Sequence, residues 1–566
     1  MIVNNTINSA ISVKKTFAFL VILSLAFCSV AQKKNPLPST VPGDKAFDIA
    51  KNLEIFANVY KTLHVNYVDD VDPGKSIKTA IDAMLASCDP YTNYFPESDI
   101  EDVKLQVLGQ YGGVGALIHQ EGKDIFIAEP YEGLPADKAG LRAGDRIVAV
   151  AGESTEGKSN ADVSSAMRGQ AGTQVSLTVE RDGKQRTVTI TRAEIKLPNV
   201  PYYGMVKGGV GYIRLDEFTQ EAAKNVREAF RKLKRDNPDM KGVILDLRNN
   251  GGGLMNEAVD IVNIWVKAGE LVVQTKGKVA AKNVKSSTSS APEDVDIPVA
   301  VLINGNSASA SEIVSGSLQD MDRAVIIGER SYGKGLVQNI LPMPYNSQMK
   351  VTVSKYFIPS GRCIQAIDYS HRDKDGRAVK VPDSLKTAFT TRHGRTVYDG
   401  FGIEPDIEVE HPSSSLLTVA LFNKFYFFNY ANKFCKEHPS IAPADEFAIT
   451  DEIYQDFVAF LSDKTYEYKT YTEQLIDEMR HVAKEEDYID EMKVQIDSLE
   501  ATFKRAKEAD LMRNREEISE LLMDEILTRY YYQKGRIQGS LPTDPDVNKA
   551  IEVLTNHSEY ARLLRP

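Results

Sequence analysis

The chain has 566 residues, too many for one hydrophobic core, so several domains are expected. Its 42% apolar and 26% charged residues are those of an ordinary globular protein, and a net charge of -11 without a basic block excludes a nucleic-acid partner. Cys88, Cys363 and Cys435 are too sparse for a disulfide scaffold, and without CxxC or HExxH spacing no metal site is signalled and no cofactor is called for.

Lys14 and Lys15 precede the short apolar run Phe17 to Phe27, and Ser29-Val30-Ala31 offers small residues for cleavage. Residues 1–31 read as a signal peptide, so the protein is expected to be exported to the periplasm or cell envelope, and to be membrane-anchored if the segment stays uncut. Phe27 is too bulky before Cys28 for a lipidated cysteine. A polar, proline-bearing linker follows, and residues 46–108 have a helical pattern in which Phe47, Ile49, Leu53, Phe56, Val59, Tyr60 and Leu63 share one face. A helical core of its own is the expectation there, interrupted by turns at Asn66 to Asp69 and at Cys88 to Phe95.

Residues 109–194 form a β-rich module. The run Gly112-Gly113-Val114-Gly115-Ala116 leads to a strand at Ile125 to Ala128, and Asp182-Gly183 marks a hairpin between alternating strands. The ordered set resembles a PDZ domain. In such domains a glycine loop, here Gly113, Val114, Gly115 and Ala116, holds a peptide's terminal carboxylate while the peptide adds as an extra strand. Arg168 matches a position that couples peptide capture to catalysis in some relatives; a solvated arginine is the simpler expectation.

Residues 198–411 alternate strands and helices. The apolar strand Gly242 to Leu247 carries one acid, which suggests a buried parallel strand, and it runs into Arg248-Asn249-Asn250-Gly251-Gly252-Gly253. Asp246 and Arg248 are expected to form a structural pair. Residues 276–296 are polar and read as a surface loop. The strand Val299 to Ile303 then enters a small-residue turn, a helix begins at about Ser309, and the next strand delivers Gly333-Lys334-Gly335 with Gln338 beyond.

Serine attacks only when a base takes its proton, and lysine serves as that base only if burial lowers its pKa. Backbone N–H groups at a helix start are free to meet an oxyanion. Two plainer readings compete. Ser309 and Glu312 fit a capping box, and Gly328 to Lys334 fits the start of a phosphate loop, but Gly335 stands where that loop needs Ser or Thr. His64, His119, His371 and His393 read as surface or packing residues, although a histidine triad assembled from distant stretches stays open.

The run Ser307-Ala308-Ser309-Ala310-Ser311-Glu312, followed by Gly328 to Gln338, resembles the signature of the C-terminal processing (tail-specific) serine/lysine proteases, the S41-type carboxyl-terminal peptidases. The resemblance implies a multidomain α/β protein: a protease core of crotonase/ClpP-like architecture, an inserted PDZ module, a helical N-terminal segment and a helical C-terminal extension. It implies Ser309 as nucleophile, Lys334 as base, Gln338 as the group orienting the lysine, and an oxyanion hole at Gly253 and Ala310, with Gly252 as the second choice for Gly253. Its expected substrates are proteins and peptides with free C-termini, cut near those ends. A catalytically inactive PDZ scaffold of the envelope is the alternative. The charged segment 368–398 departs from the common pattern and is expected near the cleft edge.

Residues 412–566 lie outside the shared core. Leu475, Met479, Val482, Ile489, Met492, Ile496, Leu499 and Phe503 step by threes and fours with a gap near Glu486, suggesting a long amphipathic helix or short coiled coil. It is expected to pack on the chain's own core; an oligomer contact, a homodimer or larger through the helical ends, is the other reading.

Overall fold

The structure is a computed structural model that describes residues 43–99, 109–411 and 413–565. The expected signal peptide lies outside them. Among the described residues no helix is long and apolar enough to cross a membrane.

Contacts divide the chain into two units, residues 1–81 and 82–566. The first contains the helix Gly43–Asn66 and the start of the helix Pro73–Ala86. The expected self-contained core is not seen among the described residues of this unit: Phe47, Leu53 and Val59 are 70%, 63% and 62% exposed. The helical expectation also stops early. Asn93–Phe95 is a strand, paired antiparallel with Gln348–Phe357 so that Asn93 lies opposite Lys350.

Within the second unit, residues 116–191 form a twisted antiparallel sheet in the order Ala116–Glu121, Asp124–Pro130, Arg146–Val150, Gln174–Arg181, Lys184–Thr191. Inward residues such as Ile125, Ile127, Leu177 and Val179 are sealed, as alternation requires. The hairpin expected at Asp182-Gly183 is present, with φ of 53° and 72°, the pair of left-handed residues that a twist-matched two-residue turn needs. Ala116–Glu121 is an edge strand lying beside the helix Asn160–Met167.

The core sheet runs Tyr202–Val206, Val210–Arg214, Gly242–Asp246, Val299–Ile303, Val325–Gly328, Ile407–Glu408; only the first pairing is antiparallel. Every residue of Gly242–Asp246 and Val299–Ile303 is buried, as expected for parallel strands covered on both faces. One face packs on the helices Ala222–Asp236, Met255–Val262 and Ala310–Asp320. The other is covered by the far end of the chain: Val547, Ala550, Val553 and Leu554 of the helix Pro545–Thr555, and Leu564 of His557–Leu564, join Tyr212, Ile244, Leu302 and Ile327 in one core.

The Asp246–Arg248 pair therefore extends further than its sequence spacing suggests. Arg248 Nη2 lies 2.6 Å from Asp246 and 2.7 Å from Asp544, and Nη1 lies 2.8 Å from Asp546. Residues 417–526 build a separate aromatic-rich helical core around Phe427, Tyr430, Phe457 and Leu522. The PDZ-like sheet rests on this region. His119 stacks on Phe425 at 4.5 Å, and Tyr532 donates to Asp137 at 3.0 Å.

Two further expectations change. The apolar stripe from Leu475 to Phe503 is two helices, Tyr471–Glu485 and Ile489–Glu508, rather than one. The gap near Glu486 is the turn between them, which brings Ile476, Ala483 and Ile496 together, and Arg480 crosses to Asp497 at 2.8 Å. The polar stretch 276–296 also holds a strand, Lys285–Ser287, paired with Leu271–Gly277.

Candidate active site

Four consecutive parallel strands release their C-terminal ends to one side, where the Phe218 segment, the Gly251–Gly253 turn, the Ser309 turn and the Lys334 loop meet. Such ends are where open α/β sheets present ligand sites. Ser309, Lys334, Gln338 and Gly253 line one cleft of about 400 Å³, together with Lys350 and Tyr356.

Geometry separates the three serines of the run. Ser307 donates to Leu247 O at 2.8 Å and Ser311 donates to Asn250 O at 2.8 Å, so both hydroxyls tie the nucleophile turn to the Arg248–Asn250 segment. Among the described residues the Ser309 hydroxyl donates to no acceptor; it sits in capping-box position at the start of its helix and lines the cleft. Ser309 also has φ 57° and ψ -109°, a backbone geometry costly to a residue with a Cβ and one that clusters at functional turns.

Glu312 connects this turn to the lysine loop. Its buried carboxylate accepts from Ser309 N at 2.8 Å, Ser331 Oγ at 2.5 Å, Gly333 N at 2.7 Å and Lys334 N at 2.9 Å. Burial pushes this carboxyl up, and the four donors pull it back. The capping-box spacing was thus a true signal, but the acid also holds a segment some twenty residues further along the chain.

The expected oxyanion donors differ in availability. Gly252 N–H donates to Asn250 Oδ1 at 2.9 Å and is committed. Among the described residues no acceptor meets the N–H of Gly253 or of Ala310. The close approach depends on glycine: a Cβ at Gly252 would lie 2.8 Å from the Ser309 Cβ and 2.9 Å from Ala310 N, and one at Gly253 would lie 2.5 Å from Phe218 O.

Burial pushes the Lys334 amine down to about 8; the Lys350 ammonium acts in the same direction, while Glu312 and Asp89 oppose it. No phosphate-loop helix follows Lys334, because Leu336–Pro342 is a strand. The amine lies 4.4 Å from the centroid of the Tyr91 ring, and among the described residues it makes no hydrogen bond to Ser309 or Gln338. Gln338 instead donates to Thr352 Oγ1 at 3.1 Å. The structure thus brings the serine, lysine and glutamine to one cleft without joining them by hydrogen bonds.

The sequence marks a turn over Cys88 to Phe95 but gives no sign that Tyr91 in it would face the site. Asp89 Oδ1 accepts from Tyr91 N at 2.8 Å and Thr92 N at 2.9 Å, an Asx turn that aims Tyr91 at Lys334. Thr92 Oγ1 accepts from Thr352 N at 3.2 Å, beside the partner of Gln338. The Asp-Pro-Tyr-Thr composition was the available signal for a turn, but nothing local said what it would face. Tyr369, from the charged segment 368–398, meets Tyr91 edge-on at 5.9 Å, so that segment reaches the ring that faces Lys334 without lining the cleft itself.

In the PDZ-like sheet, Val114 and Ala116 line a second cavity of about 240 Å³ with Ile118, Tyr131 and Met167. Gly115 lies at the turn above it with φ 75°, and Gly113 ends the strand Gln110–Gly113. The Arg168 guanidinium, at the mouth of this cavity, stacks 5.2 Å from the Tyr111 ring centroid rather than standing in solvent.

These features define a serine-type peptidase that carries a PDZ domain. Residues 209–370 match the profile of peptidase family S41, residues 126–181 that of the PDZ domain, and residues 417–554 that of the probable PDZ-protease C-terminal helical domain. The chain is 37% identical over 321 residues to a carboxy-terminal-processing protease of Bartonella bacilliformis, covering 56% of this chain and 73% of that one. It is 34% identical over 356 residues to a probable CtpA-like serine protease of Staphylococcus aureus, covering 63% and 69%. The solved photosystem II D1 C-terminal processing protease is 27% identical and covers 66% of this chain and 95% of that one, with a TM-score of 0.35. The chain belongs to the carboxy-terminal-processing proteases of peptidase family S41.

Proposed function

We propose that this protein is an exported endopeptidase that cuts protein substrates near their C-termini, with Ser309 as nucleophile and Lys334 as general base. The observation that carries the assignment is the contrast within the serine run: the outer hydroxyls donate to carbonyls, whereas among the described residues that of Ser309 donates to none and lines the cleft that holds Lys334.

The amine must be neutral to accept a proton. As an ammonium it is attracted to the Tyr91 face; once deprotonated that attraction disappears, and the free amine swings to the Ser309 hydroxyl. Gln338 donates to Thr352 through its nitrogen, which leaves its carbonyl to accept from the lysine. Ser309 Oγ then attacks the scissile carbonyl, Lys334 takes the proton and returns it to the leaving amine, and water releases the acyl group. The free N–H groups of Gly253 and Ala310 meet the oxyanion, a contribution of about 3–4 kcal/mol per donor.

The proposed division is a PDZ module at 109–194, a protease core at 198–411 and a helical extension at 412–566, preceded by a signal peptide at 1–31 and a helical region at 46–108. The matched profile segments 126–181, 209–370 and 417–554 fall inside the first three. The open edge Ala116–Glu121 and the neighbouring cavity suit capture of a substrate tail by strand addition. A solved PDZ domain of a carboxy-terminal protease from Vibrio cholerae, 32% identical over 16% of this chain, is described in complex with peptide. Cleavage of casein and of tail peptides by the parent, Ser309→Ala and Lys334→Ala proteins tests the assignment. Loss of turnover in both variants is expected, and equal rates in all three would overturn it.

A further inference from the structure

The cleft contains a second amine that the proposed reaction does not use. Lys350 lies on Gln348–Phe357, opposite Ile340 on one neighbouring strand and Asn93 on the other. Strand alternation puts its side chain on the same face as Thr352, the partner of Gln338, and it lines the cleft with Ser309 and Lys334. Among the described residues Lys350 has no ion pair and no hydrogen bond from its amine. Much of the surrounding wall is apolar, formed by Ile340, Val337, Leu336 and Phe218, and burial pushes the ammonium down.

A half-buried ammonium without a counter-ion is costly, and the neighbouring Lys334 cannot relieve it. The carboxylate nearest to it in function, Glu312, is already occupied by four donors. Glu217 also lines the cleft, but it belongs to the Phe218 segment following Val210–Arg214 and forms no pair with Lys350. Among the described residues, then, nothing completes Lys350, and it stands along the path that a substrate takes past Ser309.

We propose that Lys350 is a specificity-determining residue of this peptidase that binds a substrate carboxylate beside the scissile bond, supplied by an acidic side chain or by the free end of the chain. This inference rests on the reading of Ser309 as the nucleophile. The amine forms a charge-assisted hydrogen bond to the carboxylate and so fixes the register in which the substrate crosses the serine.

The test uses full-length protein and internally quenched peptides that differ only in Glu, Gln or Lys next to the cut bond, each made as free acid and as amide. For the parent protein, kcat/KM for the Glu or free-acid peptide should exceed that for its neutral counterpart by about tenfold or more. Lys350→Met should flatten the ranking and Lys350→Glu should invert it. Because each comparison is a ratio between peptides on one enzyme, any effect of Lys350 on the basicity of Lys334 cancels. A preference that follows Glu over Gln identifies a side-chain carboxylate; one that follows acid over amide identifies the chain terminus. An unchanged ranking in both Lys350 variants, with cleavage still abolished by Ser309→Ala, overturns the proposal. Cleavage that survives Ser309→Ala overturns the reading of the site instead.

Discussion

The amine of Lys334 and the ring of Tyr91 are in cation–π contact, 4.4 Å from nitrogen to centroid, across a gap of more than two hundred residues in sequence. The ring favours the ammonium, whereas the apolar wall and Lys350 disfavour it. Tyr91→Leu keeps the apolar cover and removes the π face, so the base limb of the kcat/KM–pH profile should move to lower pH. A contact worth about 0.5–2 kcal/mol corresponds to roughly 0.4–1.5 pH units. Tyr91→Phe keeps the face and should leave the limb within a few tenths of a unit. Equal profiles for Leu and Tyr would remove the ring from the account.

In the parent protein activity should rise through about pH 8 as Lys334 loses its proton, and then level. Lys350→Met removes a like charge, raises the affinity of Lys334 for its proton, and should shift the rise to higher pH. A limb that stays in place would mean that the two amines do not sense one another.

The same lowered pKa has a cost in stability. Folding holds Lys334 at about 8, below the ordinary value of 10.5, so between these values the unfolded chain binds more protons. Stability contributed by this residue therefore rises as pH increases from 8 towards 10.5, and the penalty is fully present below 8. Lys334→Met should stabilise the inactive protein by roughly 1–3 kcal/mol at pH 7, and the gain should shrink towards pH 10.5. Urea unfolding at the two pH values checks both the sign and the trend.

Glu312 accepts four donors from the two loops that carry Ser309 and Lys334. Glu312→Gln turns an amide N–H₂ against N–H groups and leaves some of them buried and unpaired, at about 1–3 kcal/mol each. The expected result is a loss of activity of a hundredfold or more together with a lowered Tm. Active-site titration separates the two effects: the fraction of competent serine should fall even at temperatures where circular dichroism is native.

Asp544 both caps the helix Pro545–Thr555, accepting from Val547 N at 3.1 Å, and pairs with Arg248 beside the glycine turn. Asp544→Asn keeps the cap and removes the charge, so it isolates the second role. It should lower kcat more than KM by loosening the Arg248–Gly253 segment, whereas Asp544→Ala should add about 1 kcal/mol of lost capping. An Asn variant with parental kcat would confine Asp544 to helix stability.

Much of the site could be read from local pattern. Strand, small-residue turn and helix start are contiguous, and so are the strand and the glycine-flanked lysine; their chemistry and period sit in one window of sequence. Tyr91, Thr352 and Lys350 could not be read in this way, because pairing of Asn93–Phe95 with Gln348–Phe357 is what brings them to the cleft, and registers between distant strands leave no periodic trace. The helical character of residues 412–566 was legible as well, but the packing partner of the final helices was not, for the same reason. Their apolar positions announce that something will cover them, but not that it is the outer face of the catalytic sheet.

Ser309, Lys334 and the oxyanion donors all lie in loops or at a helix start that follow strands whose bodies are sealed on both faces. The parts that decide what is cut are therefore uncoupled from the parts that decide whether the chain folds. Loops around such a frame can drift, lengthen or be replaced over evolutionary time with little penalty to the scaffold.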